Sequence, residues 1–283
     1  MAAASVLAAG VLAAPAAARA DVYLAATLVG ANEVGEGDDN GKAVAYFHIS
    51  GSKIEYAVRW QGVGAPTAFH IHQGKSGRNG PVKIPFFGQK LPTGLNAVAG
   101  ISRAGADLLA DIAKSPKKWY ANLHTGEFPG GAVRAQLKRV PKIDLVTVLD
   151  TDAKTTFTAL ANATQEVREP GKKVGDQQGV AVWLVWVKGR KVHWATLWHG
   201  LTAQPANGHL HRGKKGVNGP VAVDFFAAPG GLPKGITGAS GVASASSSVA
   251  EGIKKNPKNW YTNLHTADFP DGAVRGQLSK GGW

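Results

Sequence analysis

Two short stretches carry the residues best suited to chemistry: Thr67-Ala68-Phe69-His70-Ile71-His72-Gln73-Gly74 and Asn207-Gly208-His209-Leu210-His211-Arg212-Gly213. Side chains alternate faces along an extended segment, so two histidines separated by one residue point the same way. Ile71 or Leu210 between them points oppositely, into a core. A third histidine accompanies each pair, His124 in Trp119-Tyr120-Ala121-Asn122-Leu123-His124-Thr125 and His265 in Trp260-Tyr261-Thr262-Asn263-Leu264-His265-Thr266. In the first of these strands Tyr120, Asn122 and His124 share a face. If it lies near the His-x-His strand, three imidazoles converge at distances a Zn²⁺ or Cu²⁺ accepts, about 2.0–2.1 Å per Zn–N bond, with a position left for water. The competing reading is structural: one ring nitrogen donates to a carbonyl and the other accepts from Asn122 or Thr125, pinning strands together. Residues alone leave both readings open. The candidate ligands are His70, His72 and His124, with His209, His211 and His265.

Other chemistry is thin. Arg134 and Arg275 recur in Val-Arg-x-Gln-Leu and read as strand residues bonding across to a carbonyl or carboxylate, or as anion guides; Asn122 and Asn263 are grouped with them as structural or anion-contacting positions. The carboxylates common to both stretches are Glu33 or Glu166 and the pair Glu127 and Asp268, which read as turn acids able to orient an imidazole. The chain has no cysteine, so thiol catalysis, disulfides and thiolate ligands are excluded together. Gly-x-Ser-x-Gly is also missing, and nucleophilic catalysis finds no support. Gly74-Lys75-Ser76-Gly77 lacks the phosphate-loop spacing and is a turn. Trp183, Trp186, Trp194, Trp198 and Trp260 raise a minor reading, indoles stacking on sugars, although Trp60 and Trp198 match in position and read as core. His48, His193 and His199 have no histidine counterpart and read as ordinary strand residues.

What must position these groups is a duplication of roughly 140 residues. Its clearest pair is Pro116 to Leu137 against Pro257 to Leu278, with Asn79-Gly80-Pro81-Val82 mirrored by Asn218-Gly219-Pro220-Val221. The boundary falls near Lys138 to Lys142, giving one domain over 21–140 and a second over 141–283. Within each copy the pattern is mostly β: strands around Ser50-Gly51-Ser52-Lys53 and around Gly189, then the His-x-His strand, an Asn-Gly turn, and a returning strand such as Val82–Phe87. One short helix interrupts each copy. Ser102 is its expected N-cap in the first, before Leu108, Leu109 and Ile112, and Ser246 to Lys255 is the counterpart. The expected fold is all-β: two tandem Greek-key β-sandwich domains, each with one short helix.

Met1 to Ala20 is alanine-rich and ends Ala18-Arg19-Ala20, a small-x-small cleavage pattern, so residues 1–20 read as a secretory signal peptide. No later stretch is apolar enough to span a bilayer. The formal net charge of +13 favours anionic partners, but the Lys and Arg are scattered. That pattern points to a basic surface meeting an extracellular protein or an anionic envelope polymer rather than a specific nucleic-acid site.

His-Ile-His-x-Gly followed by Asn-Gly-Pro-Val, with Trp-Tyr-x-Asn-Leu-His-Thr-x-x-Phe-Pro-x-Gly-Ala-Val-Arg-x-Gln-Leu, resembles the chordin-type (CHRD) domain family. The resemblance covers Thr27–Leu137 and Phe157–Leu278 and implies export and tandem β-domains without bringing a reaction. A weaker likeness runs to copper,zinc superoxide dismutase, an eight-stranded Greek-key sandwich that holds copper with a His-x-His strand. Only His70, His72, His124 and Arg134, with their second-copy equivalents, match that pattern. The expected function is therefore a secreted or cell-envelope binding or structural protein without catalysis. The alternative is a Cu or Zn protein with a three-histidine site per domain and superoxide-dismutase-like chemistry.

Overall fold

The computed structural model describes residues 21–149 and 156–281; the expected signal peptide lies outside them. The first copy contains β1 (Val22–Val29), β2 (Lys42–Ser50), β3 (Lys53–Gln61), β4 (Pro66–Gln73), β5 (Val82–Phe87) and β6 (Leu95–Arg103). It continues with α1 (Ala106–Lys114), β7 (Trp119–Thr125), β8 (Val133–Gln136) and β9 (Lys138–Arg139). A one-turn helix, α2 (Val146–Leu149), leads to the second copy. That copy repeats the order as β10 (Phe157–Asn162), β11 (Val180–Lys188), β12 (Lys191–His199), β13 (Pro205–Arg212), β14 (Val221–Ala227) and β15 (Ile236–Ser244). It ends with α3 (Ser247–Lys255), β16 (Trp260–Thr266), β17 (Val274–Gln277) and β18 (Ser279–Lys280).

Every strand pairing is antiparallel. In the first copy one sheet runs β1-β2-β3-β6 and the other β5-β4-β7-β8. The chain crosses between sheets after β3, after β5 and after β6, which is Greek-key connectivity. The second copy has the same orders, β10-β11-β12-β15 and β14-β13-β16-β17. Period-two burial explains why these segments are strands: Ala181, Trp183 and Val185 alternate with less buried neighbours along β11. The first core packs Phe47, Tyr56, Phe69 and Phe86 as a ring cluster, and the second packs Trp183, Trp194 and Phe225. Trp183, Trp194, Trp198 and Trp260 are all buried, so these indoles are core and offer no sugar platform.

The two copies are joined strand to strand. β6 pairs with β15, from Gly100 opposite Ile236 to Leu95 opposite Gly241, making one eight-stranded sheet. A Cβ on Gly100 would lie 2.2 Å from the Gly235 carbonyl oxygen, and one on Gly241 equally close to that of Gly94. Each copy thus supplies a glycine where the other's backbone approaches. The linker helix covers the seam. Val148 and Leu149 pack with Ala57, Ala97, Ala99 and Ala195, and Arg59 donates to the Val148 and Leu149 carbonyls.

Two local expectations change. Ser102 does not cap α1; it lies in β6 opposite Ile54, because the sheet claims the chain through Arg103, and Gly105 precedes the helix without a side-chain cap. Ser246 does cap α3, its hydroxyl accepting from the Val249 amide. The extra helix α2 was invisible in a short stretch without helical periodicity.

Candidate metal centre

The pairing of β4 with β7 decides what the histidines can do. Ala68 lies opposite His124, His70 opposite Asn122 and His72 opposite Tyr120, so three imidazoles stand on one face of two adjacent strands. β13 and β16 repeat this register. His70 Nδ1 lies 3.3 Å from His124 Nε2, and His209 Nδ1 lies 3.1 Å from His265 Nε2. In each copy, one nitrogen from each of the three rings falls within 4.8 Å of the other two. Two nitrogens bound to one tetrahedral ion at ordinary Zn–N lengths are about 3.3 Å apart, so the closest pairs already have ligand spacing.

Backbone carbonyls orient the rings. His72 Nδ1 donates to the Gly80 carbonyl at 2.9 Å and His124 Nδ1 to that of Pro129 at 3.0 Å. Their counterparts His211 and His265 donate to Gly219 and Pro270 at 3.0 and 2.9 Å. These bonds put the proton on Nδ1 and leave Nε2 as a lone pair facing the cluster. The Nε2 atoms of His72 and His211 are buried without a hydrogen-bond partner. Burial, reinforced by the neighbouring imidazoles, pushes His70 and His209 down to about 4. Burial also lowers the other four, so all six rings are neutral bases at pH 7.

The structural reading is met in part. The carbonyl bonds exist, but Thr125 instead accepts from the Phe128 amide, and the Asn122 oxygen has no partner. Asn263 donates to Glu166 at 2.7 Å. Arg134 is 1% exposed and works as a loop clamp, donating to Asn79 Oδ1 at 2.9 Å and to the Lys75 and Arg78 carbonyls. Arg275 does the same with Asn218, Lys214 and Val217. Each guanidinium also lies over a tyrosine ring, 3.4 Å from the Tyr120 centroid and 3.5 Å from that of Tyr261.

Those tyrosines are what residue-type reasoning missed. Tyr120 stacks on His72 at 4.7 Å and 11°, and Tyr261 on His211 at 4.7 Å and 8°. Strand alternation already placed Tyr120 on the histidine face; which histidine it braces needed the register. Glu33 and Glu166 were visible as shared carboxylates and turn out to be partly buried beside the two asparagines. Burial pushes both up to about 7, against the opposing pull of Arg134 and Asn122 in one copy and Asn263 and Arg275 in the other. The native state therefore keeps a proton that the unfolded chain loses above pH 4.5, so stability falls as pH rises through 7. Glu33→Gln combined with Glu166→Gln should raise the melting temperature at pH 8 and barely change it at pH 5. An equal shift at both pH values would refute this assignment.

Fold and site together define an all-β protein of two joined repeats, each with a cluster of three neutral histidines, two of them held by backbone carbonyls. The chain belongs to the CHRD domain family, whose model matches residues 24–137 and 157–278. Comparison with curated proteins and with solved structures gives no match.

Proposed function

We propose that this is an exported metal-binding protein that holds one Cu²⁺ or Zn²⁺ per repeat. The ligands are His70 Nδ1, His72 Nε2 and His124 Nε2 in the first repeat, with His209, His211 and His265 in the second. The observation that carries this reading is the pair of buried, partnerless Nε2 atoms on His72 and His211, in rings that each bring a nitrogen within 4.8 Å of nitrogens of two further imidazoles. A merely structural histidine in a dry setting finds a partner for its second nitrogen. Three nitrogen donors and no thiolate suit Zn²⁺ or Cu²⁺ in an oxidising compartment. Export is supported by the small-x-small pattern at residues 18–20. No helix among the described residues is long and apolar enough to cross a membrane. The net charge of +13 favours an anionic envelope polymer or an acidic extracellular protein as the surface it meets.

Metal-stripped protein dialysed against Zn²⁺ or Cu²⁺ should retain two ions per chain by elemental analysis. Cu²⁺ loading should also give a nitrogen-ligand pattern in its electron paramagnetic resonance spectrum. Retention of less than a tenth of an ion per chain would return the clusters to the structural reading.

A further inference from the structure

The repeats match at every histidine yet differ around them. β5 brings Pro85 opposite His70, whereas β14 brings Asp224 opposite His209. Asp224 Oδ1 lies 3.5 Å from His209 Nε2. Gly130, next to the carbonyl that orients His124, is replaced by Asp271, next to the one that orients His265. The segment between the buried glutamate and the following buried aspartate is longer in the second repeat, residues 167–175 against 34–37. Its Lys172 pairs with Asp271 at 2.9 Å, and its Glu169 accepts from Asn218 at 2.8 Å. This segment helps wall a cavity of about 170 Å³ lined by Glu166, Lys172, His211, Tyr261, His265 and Asp271.

Resting on the reading of the clusters as metal sites, we infer that the two sites are unequal, and that the second repeat takes the first ion because Asp224 positions His209. In the metal-free protein His209, like His70, donates from Nδ1 to the third histidine, at 3.1 Å against 3.3 Å; an ion that takes Nδ1 needs that proton moved to Nε2, where the Asp224 carboxylate stands ready to accept it. This is the carboxylate–histidine support that raises a ligand's basicity. Pro85 has no side-chain acceptor. His70 therefore lacks a carboxylate to receive the proton that an ion displaces from Nδ1 to Nε2. Asp224 and Asp271 also place two carboxylates near the second site at positions where the first has Pro85 and Gly130. Asp224 is 82% exposed, so solvent screens its charge and the orienting effect carries most of the difference.

The test isolates each site in the full chain and titrates Zn²⁺ calorimetrically. His70→Ala/His72→Ala leaves the second site, and His209→Ala/His211→Ala leaves the first. The second site should bind about tenfold tighter, the lower end for loss of a supporting partner. Asp224→Asn, made in the chain that keeps only the second site, should remove most of that advantage without moving the metal-free melting temperature. Pro85→Asp in the chain that keeps only the first site should tighten it. Equal affinities, or an Asp224→Asn variant that binds as tightly as its parent, would overturn the inference and leave the metal reading standing. A wild-type chain that binds no Zn²⁺ at either site would overturn both.

Discussion

Saturating the protein with Zn²⁺ should raise its melting temperature by roughly 5–10 °C, and replacing His72 and His211 with Phe should abolish the rise. An ion that binds only the native state stabilises it by about 2.7 kcal/mol per site when free ion is 100 times Kd. One kcal/mol moves the midpoint by about 2–4 °C in domains of about 150–250 residues, and by the low end of that for a chain of this size. The clusters exist only when β4 meets β7 and β13 meets β16, so the unfolded chain offers an ion nothing comparable. Phe is the informative replacement because it keeps a ring against Tyr120 or Tyr261 while removing the ligand nitrogen. It removes both a buried nitrogen that has no partner in the metal-free protein and the donor to the Gly80 or Gly219 carbonyl, which keeps the Tyr120 or Tyr261 hydroxyl as a donor at 3.4 Å. The metal-free variant should therefore melt within a few degrees of the wild type. A rise that survives in the double Phe variant would place the ion elsewhere; no rise in the wild type would remove it altogether.

Arg134→Ala should cost about 3–5 kcal/mol, the largest single-residue loss expected outside the apolar cores. Arg134 is buried, and its guanidinium gathers the Asn79 side chain and two loop carbonyls while lying over Tyr120. Truncation leaves those acceptors dry and unpaired, which costs more than the net worth of the bonds. Lys should not rescue the loss, because a single ammonium cannot both stack on the ring and reach three divergent acceptors. The damage should also reach the histidines: the clamped turn contains Gly80, whose carbonyl orients His72. Arg134→Ala should thus weaken metal binding at the first repeat and spare the second, read by titrating the two single-site chains. A midpoint shift below about 2 °C would show that the loop holds itself without the clamp.

The motif Val-Arg-x-Gln-Leu illustrates how far local pattern goes. Its recurrence marks Arg and Gln as jointly required, but their task is set by atoms far away in sequence. Gln136 donates to the Gly74, Lys117 and Trp119 carbonyls, and Gln277 to those of Gly213, Lys258 and Trp260. Each glutamine ties the turn after one histidine strand to the entry of the other. The anion-guiding alternative for Arg134, read from the repeated motif, finds no support in a side chain buried under the loop it holds. The misplaced cap at Ser102 has a similar origin: a hydroxyl before a helix is a local signal, and strand pairing with β3 overrode it.

The sequence by itself determined the duplication, the all-β class, and the shared face of each His-x-His pair. These follow from short-range rules, alternation along an extended chain and turn chemistry, and they repeat twice in the same order. Only the tertiary structure decided that the third histidine meets the first two. That depends on which strands pair and in what register, and shifting β7 by one residue would turn His124 to the opposite face. It also decided which nitrogen of each ring faces inward, because the orienting carbonyls of Gly80 and Pro129 belong to turns whose residue type says nothing about where their oxygens point. The seam between repeats, where β6 and β15 merge two sheets into one, was likewise beyond local pattern. It rests on backbone approach at Gly100 and Gly241, and backbone atoms leave no signature in side-chain periodicity.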